Sequence, residues 1–137
     1  MKIYVAGKFG DRKQIKGYMD ELVKLGHTIT HDWTSFESEN ADKNRMAQSA
    51  VKDIEAVRNC DVLVLFLTDS KYAYRGSFTE LGCGLGLNKQ IIIVNPDELS
   101  YCTTNIFYHD PSITHVKTWD EMLVQLDKLK MIDEYAI

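Results

Sequence analysis

Two carboxylic acids, Asp53 and Glu80, have the positions best suited to acid or nucleophilic chemistry in this sequence. By helical periodicity Asp53 falls between Met46 and Val57, inside the apolar stripe of a predicted helix, and should face the interior. Burial raises the pKa of a carboxyl group, which suits Asp53 to act as a general acid. The alternative interpretation is a partly buried aspartate whose charge is simply paired.

Glu80 lies close to the expected start of a helix that follows the most apolar predicted strand. The spacing of Ser77 and Glu80 fits a capping box, in which both side chains only satisfy backbone N–H groups. The location favours a role in a ligand site instead, because oriented N–H groups at a helix N-terminus attract an anion. The same capping-box spacing occurs at Asp11/Gln14 and Thr118/Glu121.

Aromatic and basic side chains could complete such a site, although each is alternatively an ordinary core or surface residue. Three aromatic residues could stack on a planar base and three basic residues could contact a phosphate: Trp33, Tyr72, Tyr74, Lys8, Arg12 and Arg75. Tyr4, in the first predicted strand, is most simply a core aromatic whose hydroxyl finds a partner. His31 and Asp32 could form a catalytic pair, but neighbouring residues of a strand point to opposite faces.

Short apolar runs alternate with amphipathic helices and must position these residues. Strands are predicted at 3–6, 27–30, 61–68, 90–94 and 113–116, and helices at 11–25, 41–59, 77–87 and from 118 onward. The pattern predicts an α/β fold: a doubly wound, flavodoxin-like or Rossmann-like parallel sheet of five strands with helices on both faces. Residues 1–137 are expected to form one domain, with a polar loop at Thr34 to Asn40 over one end.

In such a sheet a ligand binds beyond the carboxyl ends of the strands, where the strand order reverses. The loops at that edge are predicted at 7–12, 31–40, 68–76 and 95–105. The first loop has no GxGxxG, and the chain has no GxxxxGK[ST]. The missing motifs therefore argue against a dinucleotide-dependent oxidoreductase and against a nucleoside triphosphatase.

The amino-acid composition of the chain limits the kinds of partner that the protein is expected to bind. The chain has 137 residues, 16 basic and 20 acidic side chains and a net charge of -4, so a nucleic-acid polymer, which needs a basic face, is not expected. Three cysteines without a CxxC pair indicate neither disulfides nor a metal site, and no apolar run approaches the ~20 residues of a membrane span. Without a signal peptide, we expect a cytoplasmic protein that uses no metal or cofactor.

Three segments form a recognisable combination: Lys2-Ile3-Tyr4-Val5-Ala6-Gly7, the Asp53 helix leading into Asn59-Cys60-Asp61-Val62-Leu63-Val64, and Gly76-Ser77-Phe78-Thr79-Glu80-Leu81-Gly82. Together they resemble the nucleoside 2-deoxyribosyltransferase superfamily, which includes the 2'-deoxynucleoside 5'-monophosphate N-hydrolases. The resemblance covers nearly the whole chain in order. Its most specific part is the Glu-Leu-Gly segment after a buried strand.

The resemblance implies glycosidic chemistry. Glu80 matches the family's nucleophilic glutamate, Tyr4 the tyrosine that orients it, and Asp53 the acid that assists the leaving base. Asn105 falls where family members offer Asn or Ser to the neighbouring subunit's site, which implies a homodimer or higher homo-oligomer. The substrate-binding residues expected with this assignment are Gly7, Lys8, Phe9, Arg12, Trp33, Tyr74, Gly76, Ser77 and Asn105.

Two regions depart from the family's patterns. The transferases have an aspartate at the position of Tyr74, and the monophosphate hydrolases have a serine and an arginine in the first loop, where this chain has Lys8 and Gly10. The expected function is cleavage or transfer of the N-glycosidic bond of a (deoxy)nucleoside or its 5'-monophosphate through a glycosyl-Glu80 intermediate. The alternatives are a nucleotide-binding module without turnover and a flavin-binding electron carrier, for which the first loop lacks phosphate-binding hydroxyls.

Overall fold

Strands and helices alternate along the chain, as the sequence predicts. The structure is a computed structural model that describes residues 1–35 and 42–135. Its main elements are β1 (Lys2–Gly7), α1 (Arg12–Lys24), β2 (Thr28–Ile29), α2 (Lys43–Asn59), β3 (Val62–Phe66), α3 (Arg75–Gly86), β4 (Gln90–Val94), β5 (Thr114–Val116) and α4 (Trp119–Tyr135). Most of the predicted polar loop at Thr34 to Asn40 lies outside the described residues.

The five strands form one parallel sheet with the order β2-β1-β3-β4-β5. This is the flavodoxin-like order, and it confirms the predicted fold class. The order reverses between β1 and β3, which pair in register with Tyr4 beside Leu63 and Gly7 beside Phe66. The carboxyl ends of these two strands are therefore the expected place for a ligand.

Side-chain alternation along β1 separates two cores. Ile3 and Val5 belong to a core under α1 and α4, whereas Tyr4 and Ala6 belong to a core under α2 and α3. Helix α3 lies close against its face of the sheet, because a Cβ on Gly84 would come within 3.0 Å of the Leu63 side chain. The alternation places the Tyr4 hydroxyl on the same side of the sheet as Asp53 and Glu80.

The capping box predicted at Ser77/Glu80 does not form. Helix α3 begins at Arg75, and the residue before it, Tyr74, has the left-handed backbone conformation with φ of 52° and makes no side-chain cap. Glu80 thus lies in the second turn of the helix, beyond the first-turn N–H groups that a cap would satisfy. The Glu80 side chain is therefore not used to cap the helix.

The other two predicted capping boxes have different outcomes. Asp11 precedes α1 but makes no cap hydrogen bond, because its carboxylate accepts a hydrogen bond from the Thr68 hydroxyl instead. At the start of α4 the Thr118 hydroxyl accepts from the N–H of Glu121 at 3.1 Å. The Glu121 carboxylate accepts from the N–H of Lys117 at 2.9 Å, so a capping-box arrangement is present there with a shifted partner.

Candidate active site

A cavity of about 400 Å³ lies beyond the carboxyl ends of β1 and β3, where the strand order reverses. This volume is in the range of sites for small organic ligands. Of the residues predicted from the sequence, the cavity is lined by Tyr4, Gly7, Phe9, Trp33, Asp53, Tyr74, Gly76, Ser77 and Glu80. Residues distant in sequence thus meet at the predicted edge of the sheet.

Tyr4, Asp53 and Glu80 form the polar centre of the cavity. Tyr4 comes from β1 and is 1% exposed, Asp53 comes from the middle of α2, and Glu80 comes from α3. The Tyr4 hydroxyl acts as a hydrogen-bonding neighbour of both carboxyl groups. Glu80 Oε2 and Asp53 Oδ1 are nevertheless buried without a hydrogen-bond partner among the described residues. One oxygen of each carboxyl group therefore has unused hydrogen-bonding capacity.

Glu80 is held in its neutral form when the cavity is empty. Burial, with a smaller contribution from the nearby Asp53 carboxyl, raises the pKa of Glu80 to about 8, although the Tyr4 hydroxyl opposes the shift. Glu80 lies in the second turn of α3 and is largely removed from water, which favours its uncharged form. A nucleophilic Glu80 must lose this proton before it reacts.

Asp53 has the environment that helical periodicity predicted, with one correction. Burial raises the pKa of Asp53, while His31 and the Tyr4 hydroxyl lower it. The predicted apolar stripe divides along α2: Val57 is buried in the core, whereas Met46 and Ala50 are exposed and line the cavity. Asp53 therefore lies at the boundary between the core and the ligand space.

Tyr4 remains a hydrogen-bond donor in this environment. Burial and the two neighbouring carboxyl groups raise its pKa far above the ordinary value of a tyrosine. Its hydroxyl therefore keeps its proton at any physiological pH and can hold a carboxylate oxygen in place.

Tyr74 supports the wall of the cavity. Its hydroxyl accepts hydrogen bonds from the backbone N–H groups of Thr68 at 2.8 Å and Asp69 at 3.0 Å. The ring is 1% exposed and packs edge-on against the ring of Tyr72, with centroids 4.8 Å apart. Tyr74 thus ties the end of β3 to the start of α3 at the position where the transferases have an aspartate.

Two basic residues predicted to bind substrate do not line the cavity. The Lys8 ammonium pairs with the Asp69 carboxylate at 3.1 Å and lies 5.2 Å from the centre of the Tyr72 ring. The Arg12 guanidinium lies over the Phe9 ring at 4.7 Å. Arg75, considered as a phosphate contact, does line the cavity. Among the three basic residues considered from the sequence, Arg75 is therefore the one that lines the cavity.

Asn105 lies in a second, neighbouring cavity. Its side chain accepts a hydrogen bond from the N–H of Phe107 at 2.9 Å, and the cavity is also lined by Arg75 and Tyr101. Arg75 borders both cavities. Asn105 accordingly does not reach the carboxyl pair of its own chain.

Ser49 belongs to the cavity although no sequence prediction included it. Ser49 lines the cavity one turn before Asp53, a position that helical spacing from Asp53 could have indicated. Strand alternation argued against a pair between His31 and Asp32, and the two side chains have other partners. The Asp32 carboxylate instead pairs with Lys16 at 2.9 Å, while His31 Nε2 lies 3.8 Å from Asp53 Oδ1.

Metal-ligating clusters and membrane-spanning helices are both absent from the described part of the chain. Within residues 1–35 and 42–135, His, Cys, Asp and Glu side chains form no group of three that could hold a metal ion. The described helices include none with the length and apolar character needed to cross a membrane.

The protein is an α/β protein with a parallel sheet of flavodoxin-like strand order. Its cavity, where the strand order reverses, contains two carboxyl groups and a tyrosine. The model of the nucleoside 2-deoxyribosyltransferase family matches residues 3–131, so this chain belongs to that family. The resemblance seen in the sequence is confirmed.

Solved structures share this fold. A 2-deoxyribosyltransferase from Bacillus psychrosaccharolyticus is similar with a TM-score of 0.67 and 22% identity, over 89% of this chain and 90% of that one. A CMP N-glycosidase from Clostridium botulinum is similar with a TM-score of 0.59 and 18% identity, over 93% and 98% of the two chains. Among curated proteins, none matches this sequence significantly.

Proposed function

We propose that this protein breaks the N-glycosidic bond of a nucleoside or a nucleoside 5'-monophosphate through a covalent glycosyl-Glu80 intermediate. The observation that carries the proposal is the pair of carboxyl groups, Asp53 and Glu80, which face one cavity and share Tyr4 as a neighbour. Membership of the nucleoside 2-deoxyribosyltransferase family supports the same chemistry.

The reaction needs two carboxyl groups with different roles. As the bond between C1' and the base breaks, its electron pair leaves with the base, and Asp53 gives its proton to a base nitrogen. An oxygen of ionised Glu80 bonds to C1', which has oxocarbenium character in the transition state. Water or a second base then attacks C1', Glu80 leaves as a carboxylate, and Asp53 takes up the proton of the attacking group. Retention of configuration follows from the two displacements.

Substrate binding must ionise Glu80, because its pKa of about 8 keeps it protonated in the empty cavity at neutral pH. Glu80 Oε2 is buried and has no hydrogen-bond partner in the described part of the chain, so it can accept a hydrogen bond from a substrate group that reaches it. A sugar hydroxyl that donates a hydrogen bond to this oxygen stabilises the carboxylate and lowers the pKa of Glu80, so that the Glu80 proton is released to water. The Tyr4 hydroxyl acts in the same direction. Binding of the correct sugar is thereby coupled to activation of the nucleophile.

The remaining cavity residues provide candidate contacts for the substrate. Met46, Ala50 and Trp33 offer apolar surface to a planar base, and Arg75 with the first N–H groups of α3 offers positive charge to a 5'-phosphate. Lys8 and Arg12 would bind substrate only after leaving their present partners.

Release of free base from a panel of ribonucleosides, deoxyribonucleosides and their 5'-monophosphates tests the proposal. The wild type should release base from at least one of them, and Glu80→Ala should abolish the release. Glu98→Ala is the matched control, since Glu98 is an exposed glutamate paired with Lys117 at 3.2 Å and should be fully active. Adding a second base distinguishes transfer from hydrolysis.

A 2'-fluorinated substrate analogue tests the covalent intermediate directly. Fluorine at C2' destabilises the oxocarbenium-like transition state, so the glycosyl enzyme should accumulate. Mass spectrometry of a digest should place the added sugar on the peptide that contains Glu80. Binding of nucleotides without any base release would favour the alternative of a binding module.

We also propose that the protein acts as a homo-oligomer in which Asn105 serves the site of a neighbouring subunit. Asn105 lies beside exposed apolar side chains, including Ile106 at 76% and Phe107 at 54% exposure. Sedimentation analysis should show a dimer or larger species, and Phe107→Glu should shift it toward the monomer.

A further inference from the structure

His31 and Asp53 face each other with unused hydrogen-bonding atoms. His31 Nε2 and Asp53 Oδ1 are 3.8 Å apart, beyond hydrogen-bonding distance. Both atoms are buried, and neither has a hydrogen-bond partner in the described part of the chain. Leaving a buried polar atom unpaired is costly, so such pairs call for an explanation beyond packing.

The backbone around His31 is held on both sides. The Thr30 hydroxyl donates to the carbonyl of Ala56 on α2 at 2.9 Å, and Trp33 Nε1 donates to the carbonyl of Val5 on β1 at 2.7 Å. Asp32 is directed away, toward Lys16. Thr30 and Trp33 therefore hold the backbone on either side of His31 against α2 and β1.

His31 is placed to act on Asp53 and not on the substrate. Asp53 lines the cavity, whereas His31 is not among the lining residues. The His31 side chain is 21% exposed and the Asp53 side chain 30% exposed, so water screens their interaction only in part. A charge that develops on Asp53 would fall next to Nε2.

We propose that His31 is a positioning residue for the general acid, and that its Nε2–H donates a hydrogen bond to Oδ1 as Asp53 becomes a carboxylate. The inference rests on the proposed N-glycosidic cleavage. As the proton of Asp53 moves to the base nitrogen, the negative charge left on Asp53 draws the imidazole N–H into hydrogen-bonding distance. The Nε2 proton stays on the imidazole throughout. Such contacts are commonly long in an empty site and tighten in the transition state.

The test compares two substrates: one whose departing base needs a proton and one whose departing base does not. An N7-methylated purine nucleoside already carries a positive charge on its base, so its departure requires no acid. His31→Leu should slow cleavage of the ordinary substrate by about 10- to 100-fold, the value of a hydrogen bond to a charged group. It should change cleavage of the methylated substrate by less than about 3-fold. Glu80→Ala should abolish both reactions.

Three further variants separate positioning from folding. His31→Gln keeps an N–H donor and should recover part of the lost rate. In an Asp53→Asn background, His31→Leu should have no further effect, because the two residues act as one unit. His115→Leu changes a histidine on β5 outside the cavity and should leave both rates unchanged.

The outcomes distinguish this inference from the function on which it rests. If His31→Leu slows both substrates equally, or neither, the positioning role is wrong while the glycosidic reaction stands. If the wild type cleaves neither substrate nor any member of the nucleoside panel, the proposed function fails and the role of His31 fails with it.

Discussion

The two faces of one sheet differ in how they use burial. The face under α1 and α4 is apolar: Trp119 stacks on Tyr18 with ring centroids 4.0 Å apart and contacts Phe66 edge-on, and Met122 is fully buried. The face under α2 and α3 also has a continuous core, but it ends in two buried carboxyl groups with unpaired oxygens. Both faces bury an apolar core, but the unpaired buried oxygens on the second face lower its contribution to stability.

The difference between the two faces begins within each strand, because successive side chains point to opposite faces. Within β1, Ile3 and Val5 point to the first face and Tyr4 and Ala6 to the second. A tyrosine at an alternate position therefore carries a polar group into the second core without disturbing the first. Variants on each face test whether the two can be changed independently.

The largest effect is expected from Asp53→Asn, which removes the acid but keeps the shape of the side chain. The rate of base release should fall by about 10²- to 10⁴-fold, the usual contribution of general acid catalysis. Urea unfolding should show little loss of stability, because an asparagine at this position buries no ionisable group. Full activity in this variant would remove Asp53 from the mechanism.

Met122→Ala should damage the opposite face and leave the chemistry intact. Deleting a fully buried side chain from a packed core costs about 2–5 kcal/mol in the free energy of unfolding. The rate constants, measured at a temperature where the variant is folded, should match those of the wild type. A large fall in kcat in the folded Met122→Ala variant would show that changes on one face of the sheet affect the site on the other face.

Glu80→Gln should stabilise the protein in a pH-dependent way. The pKa of Glu80 rises from 4.5 to about 8 on folding, so the folded state keeps a proton that the unfolded state releases between these values. The stability that Glu80 contributes is present below pH 4.5 and is lost as the pH rises toward 8. Glutamine does not titrate, and the variant should gain about 1–3 kcal/mol relative to the wild type near pH 8.

Urea unfolding at pH 5, 6, 7, 8, 9 and 10 measures this difference. The advantage of Glu80→Gln should grow over the series and level off above the pKa of Glu80. Glu98→Gln, at an exposed position, should show no such trend. An advantage that stays constant with pH would mean that Glu80 is ionised in the folded protein, and the comparison of the two faces would lose its electrostatic basis.

The fold was predictable because its signals are local. The strand predicted at 61–68 is the most apolar in the sequence, as expected for a strand covered on both faces, and β3 is buried along its whole length. Boundaries of the helices were predicted to within about two residues, as at α2, predicted at 41–59 and observed at Lys43–Asn59. The predicted capping at Ser77/Glu80 failed, because tertiary contacts of Tyr74 start the helix earlier.

The sequence alone determined the strand pattern, the parallel sheet and the likeness of Tyr4, Asp53 and Glu80 to a family site, since periodicity and motif spacing are properties of neighbouring residues. Only the tertiary structure decided that Glu80 is neutral in the empty cavity, that Lys8 is paired with Asp69, and that His31 faces Asp53. Desolvation and charge pairing depend on which distant segments meet, and no local pattern contains that information.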